Sequence, residues 1–439
     1  MSTVLPARPL YCQKKSMGPV ISIGTERIAY DFGNGPHEGQ ARVSFTLAPT
    51  PGIAIELSDL NLKDAFAFFS SNIQEIRLLD RDVSVPILAH SCHGRGVVLH
   101  PQRQPFPATK PASGLRSITG HVLNFPRFFN HTHKVPSTQS AVLCHKNWRL
   151  VISGIPCGDD TVTTFHHGYA ITHALSIERT DEQCFESAAA EELLWPLADF
   201  LSFAAGRRIG VAMLVGVDGS GKCTWEQWGC GGCEPMAYRE GWFDEACGAD
   251  LEGLWPAFME LWGNPDWSRT LSEVIYWYLL ANDGGRGADT GIILTQTALE
   301  LLAWTYLVVS RKAVVRSGYK DLRASDQLRL LFTFLSLPKL IPSTLSNLAA
   351  SAKRMKWVDS LHAFTEIRNS IVHPEKTAQV DHRSLCEAWQ LGTWFLDLLI
   401  LRLCKYKGKY INRLRNPHTF AKVQALPWNL PASAEPGAP

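Results

Sequence analysis

The sequence predicts a multidomain α+β protein, in which a β-rich N-terminal domain of the sandwich or barrel type precedes an all-α helical bundle. Up to about residue 180, short alternating apolar runs such as residues 41–47 and 171–177 are separated by turns rich in Pro and Gly. Beyond residue 265, apolar side chains recur at helical spacing along much longer segments. A chain of 439 residues is long enough to bury two hydrophobic cores.

The N-terminal domain is predicted to span residues 1–265. Besides its strands, it contains an amphipathic helix at residues 186–205 and a hairpin whose strands cover residues 211–216 and 224–228. The hairpin turn, Gly216 to Cys223, imitates a phosphate-binding loop. Because the residues after it alternate like a strand and open no helix, the pattern favours a plain hairpin over a nucleotide site.

The C-terminal helical domain is predicted to span residues 266–426, after the breaking sequence Gly263-Asn264-Pro265. A tail of small residues at 427–439 is expected to be disordered. Helical periodicity marks residues 271–281, 291–312, 326–334, 342–352, 357–372 and 384–403.

Composition indicates a cytoplasmic protein without a membrane span. The first thirty residues lack an apolar core segment, and eleven cysteines without a secretory signal are typical of reduced thiols. The apolar runs 291–309 and 391–403 are interrupted by Glu300 and Asp397, which favours buried helices of a soluble domain.

No metal or other cofactor is expected. The thiols of Cys223, Cys230, Cys233 and Cys247 include only one short-spaced pair, so zinc binding stays an open alternative there. The N-terminal histidines at positions 131, 133, 145, 166 and 167 are dispersed, which favours ordinary surface or strand residues.

Positive charge is concentrated in the C-terminal domain although the formal net charge is only +2. Residues 311–359 contain ten Lys or Arg against three Asp, and residues 402–422 contain seven against no acid. Such an excess suits a polyanion, and a solvated helix face is the alternative. The candidate RNA-binding residues are Arg311, Lys312, Lys353, Arg354 and Lys356.

The most informative segment is residues 366–374, which sets Arg368, Asn369 and His373 on one short helix. A guanidinium can hold a phosphate, an amide can orient it, and an imidazole can move a proton near neutral pH. These groups suit phosphodiester chemistry without a metal. Because Pro374 disfavours helical geometry at the residue before it, His373 is expected where the helix ends.

A helical wheel places Arg368 within the apolar arc of this helix, whereas Glu366, Asn369 and His373 share the other side. A buried guanidinium is costly unless an anion meets it. Either Glu300 or another acid pairs with Arg368, or the arginine awaits a phosphate at a cleft or subunit seam. Glu366 could orient His373 or simply be solvated.

The pattern Arg-Asn-x-x-x-His, together with residues 293–309, 337–354 and 364–374, resembles the HEPN-domain ribonucleases, and the wider run resembles their Apea-like abortive-infection subgroup. The resemblance implies an endoribonuclease in which His373 is the general base or acid, Arg368 stabilises the phosphorane and Asn369 positions the phosphate. It further implies a homodimer with facing motifs and a supporting role for Glu300, whose alternative is an ion pair that only stabilises the fold.

The same resemblance implies antiphage defence by abortive infection, with tRNA or another structured RNA as target. The N-terminal domain would then sense a phage-derived trigger or restrain the nuclease. Two alternatives remain: a non-catalytic HEPN module that binds RNA or protein, and the toxin of a HEPN/nucleotidyltransferase pair.

Overall fold

The structure is a computed structural model that describes residues 6–11, 18–31, 35–58, 74–93, 96–130, 139–155, 168–373, 375, 380–415 and 422–429. It divides into two compact units. The β unit comprises Met1–Ala198 and Ile209–Ala237, and the helical unit comprises Asp199–Arg208 and Tyr238–Pro439. This arrangement confirms the predicted fold class, with residues 238–265 grouped with the helices. Of the tail expected at 427–439, only residues 427–429 are described, and they form a short 3-10 helix. The histidines at 131, 133, 166 and 167 lie outside the described residues.

The first part of the β unit is a closed antiparallel barrel. Its strand order is β1-β2-β3-β6-β5-β4. The predicted alternation at residues 41–47 is confirmed, because Ala41, Val43 and Phe45 are fully buried while the residues between them are not. The strands are β1 (Val20–Asp31), β2 (Pro36–Thr46), β3 (Gly52–Leu57), β4 (Glu75–Leu78), β5 (Val83–His93) and β6 (Gly96–Pro101).

The second part of the β unit is a seven-stranded antiparallel sheet. Its order is β7-β13-β12-β8-β11-β10-β9. The helix α1 (Ser187–Ala205) separates β11 from β12 in the chain, and the division between the two units falls within it. The strands are β7 (Phe106–Pro107), β8 (Leu115–Leu123), β9 (Ser140–His145), β10 (Trp148–Gly154), β11 (Ile171–Arg179), β12 (Gly210–Asp218) and β13 (Cys223–Cys230).

The Gly-rich segment between β12 and β13 is a hairpin turn, as the strand alternation predicts. The Asp218 carboxylate accepts hydrogen bonds from the backbone amides of Ser220 at 2.8 Å and Lys222 at 3.0 Å. Gly221 adopts a φ of +81°, which a side chain would strain. Among the described residues, no group of three or more His, Cys, Asp or Glu side chains could hold a metal ion.

The helical unit contains the long helices that the periodicity predicts. The helix predicted at 342–352 begins and ends later, and Lys356 terminates it in the left-handed conformation with a φ of +57°. The short strands β14 (Lys409–Ile411) and β15 (Val423–Ala425) pair antiparallel. The helices are α2 (Ala249–Trp262), α3 (Ser268–Ala281), α4 (Ala288–Trp304), α5 (Arg316–Lys320), α6 (Ala324–Leu335), α7 (Ser346–Met355), α8 (Ser360–Val372) and α9 (His382–Leu403).

Helix α4 is the central helix of this unit and packs against α3, α6, α8 and α9. It continues as a π-helical segment over Thr305–Ser310. Within the described ranges, Ala288–Ser310 is the one helix long and apolar enough to cross a membrane by length and composition alone. Its packing is that of the core helix expected for residues 291–309.

The acid in the other apolar run, Asp397 of α9, is paired. The Arg413 guanidinium donates to the Asp397 carboxylate at 2.7 Å, to the Asn282 amide oxygen at 2.8 Å and to the Tyr278 hydroxyl at 2.8 Å. Both charged side chains are almost fully removed from solvent. The run 391–403 is therefore a buried helix whose single carboxylate is neutralised from within the unit.

Candidate active site

The motif helix α8 is held firmly at its first turn. Asp359 caps it by accepting a hydrogen bond from the His362 amide at 2.8 Å, and Arg329 of α6 donates to the same carboxylate at 2.7 Å. Burial raises the pKa of Asp359, but these hydrogen bonds outweigh burial and lower it. Ser360 donates both its amide and its hydroxyl to the Lys339 carbonyl, at 2.9 Å and 2.7 Å.

The middle of α8 is anchored in the core where three helices meet. Phe364 and Ile367 are fully buried. A Cβ atom built on Gly392 of α9 would lie 2.6 Å from the Phe364 ring and 2.7 Å from the Thr295 methyl of α4. Only a glycine therefore permits this close approach of α9 to α4 and α8.

The last turn of α8 emerges from the core, and this is where the motif lies. Ile371 and Val372, which the wheel assigns to the apolar arc, are only half-buried, and His373 is exposed. The helix ends at Val372, and His373 has an extended backbone with φ −120° and ψ 102°. The expectation that the imidazole sits where the helix ends is confirmed.

Arg368 is half-buried and has no counter-ion among the described residues. The salt bridges of the described ranges include no carboxylate bound to Arg368. Its buried Nε atom makes no hydrogen bond to the described residues, and one terminal nitrogen donates to the Asn369 amide oxygen at 3.4 Å. Within the described part of the chain, this one contact uses only a small part of the hydrogen-bonding capacity of the guanidinium.

Asn369 and Glu366 complete a chain of weak contacts beside Arg368. The Asn369 amide nitrogen donates to the Glu366 carboxylate at 3.5 Å. The structure therefore brings Glu366, Asn369 and Arg368 together. His373 stands apart from this chain: its Nδ1 atom lies 4.0 Å from the Glu375 carboxylate, and no hydrogen bond in the described segments joins it to Arg368.

Glu300 of α4 is engaged elsewhere. Its carboxylate accepts a hydrogen bond from the Gln296 side chain at 2.7 Å. Burial raises the pKa of the nearby Tyr319 hydroxyl, and the negative charge of Glu300 raises it further. No salt bridge within the described residues joins Glu300 to Arg368, so the internal pairing considered for this arginine is not the one formed here.

Sequence reasoning assigned no role to two buried polar groups on these helices. The Gln296 amide oxygen on α4 and the Thr365 hydroxyl on α8 are buried without a hydrogen-bond partner in the described part of the chain. Buried polar atoms normally have a hydrogen-bond partner. The unpaired atoms of Gln296 and Thr365 are therefore exceptions within the packed faces of α4 and α8. Gln296 breaks an apolar run in the sequence, whereas Thr365 gives no comparable signal.

The five candidate RNA-binding residues are all exposed. Arg311 and Lys312 follow the π-helical segment, and the Arg311 guanidinium lies 5.6 Å from the centre of the Tyr306 ring. Lys353 and Arg354 occupy the last turn of α7, and Lys356 ends that helix. We call these five exposed charges, which lie in two separate segments of the helical unit, the basic cluster: Arg311, Lys312, Lys353, Arg354 and Lys356.

Other cations of the same basic segments have structural roles. Arg329 pairs with Asp326 and Asp359, and Arg413 is buried against Asp397. Arg402 donates to the Leu335 carbonyl at 2.9 Å. The positive charge counted in the sequence therefore overstates what is available to a polyanion.

Two family models match this chain. The YopA C-terminal domain matches residues 264–424, which include the whole motif, and the YopA central domain matches residues 110–239. Neither description names an activity. A similar protein in Bacillus subtilis (strain 168) is described as the SPbeta prophage-derived uncharacterized protein YopA.

The two chains are 31% identical over 263 residues, which is 60% of this chain and 58% of the relative. The chain therefore spans a little over half the length of the relative it matches. No solved structure matches this chain.

Proposed function

We propose that this protein is a metal-independent endoribonuclease of the HEPN type. The observation that carries the proposal is Arg368, a half-buried guanidinium that has no carboxylate partner among the described residues and lies just over one helical turn before an exposed histidine. Burying part of an arginine side chain without a counter-ion lowers the stability of the fold, unless a bound anion neutralises its charge. An RNA phosphate is an anion that it can bind through two parallel hydrogen bonds.

In the proposed reaction, His373 removes the proton from an RNA 2′-hydroxyl, and the 2′-oxygen attacks the adjacent phosphorus. The bond to the 5′-oxygen breaks, which leaves a 2′,3′-cyclic phosphate and a 5′-hydroxyl. Arg368 stabilises the negative charge that develops on the phosphorane oxygens, and Asn369 holds the phosphate in register.

The departing 5′-oxygen needs a proton. A homodimer with facing motifs would supply it from the histidine of the second protomer, while the first histidine acts as base. The position of Arg368 on the emerging last turn of α8 supports this arrangement, since that turn is where a second protomer can approach. Glu366 would orient the Asn369 amide by accepting its hydrogen bond. Glu300 would have a supporting role by holding the Gln296 side chain in place.

The basic cluster supports RNA as the substrate, with tRNA or another structured RNA as the expected class. Cations that neutralise phosphates release counterions, so binding should weaken with salt by about 0.7 in log–log slope per phosphate contacted on a single strand. A cytoplasmic role in antiphage defence by abortive infection is the biological setting that we propose, with the β unit sensing a phage-derived trigger. The prophage origin of the Bacillus relative favours a role in conflict between phage and host.

The test is incubation of the purified full-length protein with total RNA in EDTA, followed by analysis of the product ends. We expect 2′,3′-cyclic phosphate ends that disappear in His373→Ala and Arg368→Ala. His382→Ala is the matched control, because His382 is another exposed histidine of the same unit. Cleavage that persists at full rate in both motif variants would contradict the proposal.

A second candidate is a non-catalytic module that binds RNA or protein, or the toxin of a HEPN/nucleotidyltransferase pair. The separation of His373 from the Arg368 contacts is the observation that favours a binding role. Overexpression discriminates between these functions. Equal growth arrest by wild type and His373→Ala would favour binding, whereas arrest by wild type alone supports the nuclease.

A further inference from the structure

The helical unit contains a cavity that the proposed nuclease chemistry does not use. Its volume is about 410 Å³, and its walls come from the loop 338–344, from α9, from residues 412–415 after β14 and from Gln424 of β15. Cavities of this size bind small organic molecules.

The walls of the cavity carry positive and no negative charge. Lys339 and Arg415 line it, and none of its lining residues is Asp or Glu. The Arg415 side chain is exposed and makes no salt bridge within the described ranges. The Lys339 ammonium donates to the Thr333 hydroxyl at 3.0 Å and forms no salt bridge with the described residues. An anion is therefore the favoured occupant.

An aromatic and an aliphatic side chain line the same space. Trp394 of α9 is 3% exposed and already donates its indole N–H to the Tyr410 hydroxyl at 3.1 Å. What this side chain can offer a ligand is the small part of its ring that reaches the cavity. Leu414 adds an apolar surface beside it. A ligand that fills the cavity therefore needs an apolar or aromatic part.

Hydrogen-bond donors are also available at the cavity. Ser343 and Thr344 line it with exposed hydroxyls that make no hydrogen bond within the described part of the chain. By contrast, Asn412 donates to the Gln424 side chain at 3.0 Å and accepts from the Leu414 amide at 3.0 Å. Asn412 and Gln424 thus hold each other in place in the cavity wall, whereas the hydroxyls of Ser343 and Thr344 can donate to a ligand.

We propose that this cavity binds a small aromatic anion. Its carboxylate, sulfonate or phosphate group lies between Arg415 and Lys339 and accepts from Ser343 or Thr344, and its ring packs on Trp394 and Leu414. The site is separate from the motif. The Lys339 carbonyl holds the first residue of α8, and about 20 Å of helix rise separates that residue from His373.

The test uses 8-anilinonaphthalene-1-sulfonate, a fluorescent aromatic anion, titrated into the native full-length protein. We expect saturable binding that weakens by at least about tenfold in Arg415→Glu and in Thr344→Glu, because both place a negative charge at the cavity. Arg103→Glu is the matched control, since it makes the same charge change at an exposed arginine of the β unit. It should leave the affinity unchanged, as should Arg368→Ala, which separates this site from the motif.

Competition defines the chemistry of the ligand. Phenyl phosphate should displace the probe, whereas phenol lacks the charge and inorganic phosphate lacks the ring, so each should compete less well. Equal affinity in wild type, Arg415→Glu and Thr344→Glu would overturn the proposal. So would displacement by phenol as effective as displacement by phenyl phosphate.

Discussion

The β unit buries histidines that are kept neutral, whereas the helical unit buries one ion pair and leaves another arginine half-buried without a carboxylate partner among the described residues. His121 of β8 is fully buried, and its ring accepts a hydrogen bond from the Tyr11 amide at 3.1 Å. Burial lowers the pKa of His121 to about 4 and that of His173 to about 3. In the helical unit, Arg413 is completed by Asp397, Asn282 and Tyr278, while Arg368 is not.

The two units differ in whether a buried polar group finds its hydrogen-bond partners within the protein. His121, a neutral ring with hydrogen-bond partners at both nitrogens, and the satisfied Arg413–Asp397 pair need nothing from outside the protein. Arg368 differs from both, because its charge is half-buried and its Nε makes no hydrogen bond to the described residues. It also lies on the one turn of α8 that emerges from the core. For this reason the proposed function assigns the RNA phosphate to Arg368 and not to Arg413.

The largest expected effect on stability comes from breaking the satisfied pair. Arg413→Ala should destabilise the helical unit by about 3–5 kcal/mol, because it leaves the Asp397 carboxylate buried and uncompensated. Urea unfolding of the purified protein measures this. Arg269→Ala, which removes a highly exposed partner of Glu273, is the control and should cause no measurable change. A loss for Arg413→Ala as small as that of the control would show that the pair is not buried as described.

Much of this arrangement follows from the sequence, and some of it could not. Alternation at 41–47 predicts β2, and Pro374 predicts that α8 ends before His373. The pairing of β8 with β12 is not predictable from such local patterns, since it joins Leu115 to Asp218 across the chain. The pairing of Asp397 with Arg413 is not predictable for the same reason.

The candidate site shows the same limit. The wheel places Arg368 on the apolar face, and the structure agrees that it is half-buried. Whether an acid neutralises it depends on side-chain contacts between helices, which periodicity does not encode. The engagement of Glu300 with Gln296 is such a contact.

The next largest effect concerns the neutral histidines of the β unit. The pKa of His121 is near 4 in the folded protein and near 6.5 in the unfolded chain. Above about pH 6.5 the ring is neutral in both states, and the free energy of unfolding keeps its full value. As the pH falls from about 6.5 to 4, the free energy of unfolding decreases, because the unfolded chain binds the proton and the folded protein does not. The decrease amounts to up to about 3 kcal/mol for His121.

His121→Gln tests this, because its neutral amide can still accept from the Tyr11 backbone. The free energy of unfolding of the variant, measured between pH 6.5 and 4, should decline less steeply than that of wild type. Parallel curves for the two proteins would mean that His121 does not titrate differently on unfolding.

A smaller effect is expected from the basic cluster. Lys353→Ala and Lys356→Ala should each weaken RNA binding by a few-fold and reduce the salt dependence by about one phosphate contact. Filter binding or fluorescence anisotropy at several salt concentrations measures both quantities. Lys405→Ala, at an exposed lysine outside the cluster, serves as control. An identical salt slope in all of these proteins would exclude the cluster from the RNA interface.

We propose that Arg368 has no carboxylate partner among the described residues because its partner is an RNA phosphate. Arg368→Met keeps the length and apolar stem of the side chain and removes only the charge, so the variant should unfold at the same temperature as wild type or higher. RNA cleavage by the same preparation should fall by at least about 100-fold. Retained cleavage together with a lowered unfolding temperature would contradict the account, because it would assign Arg368 to the scaffold.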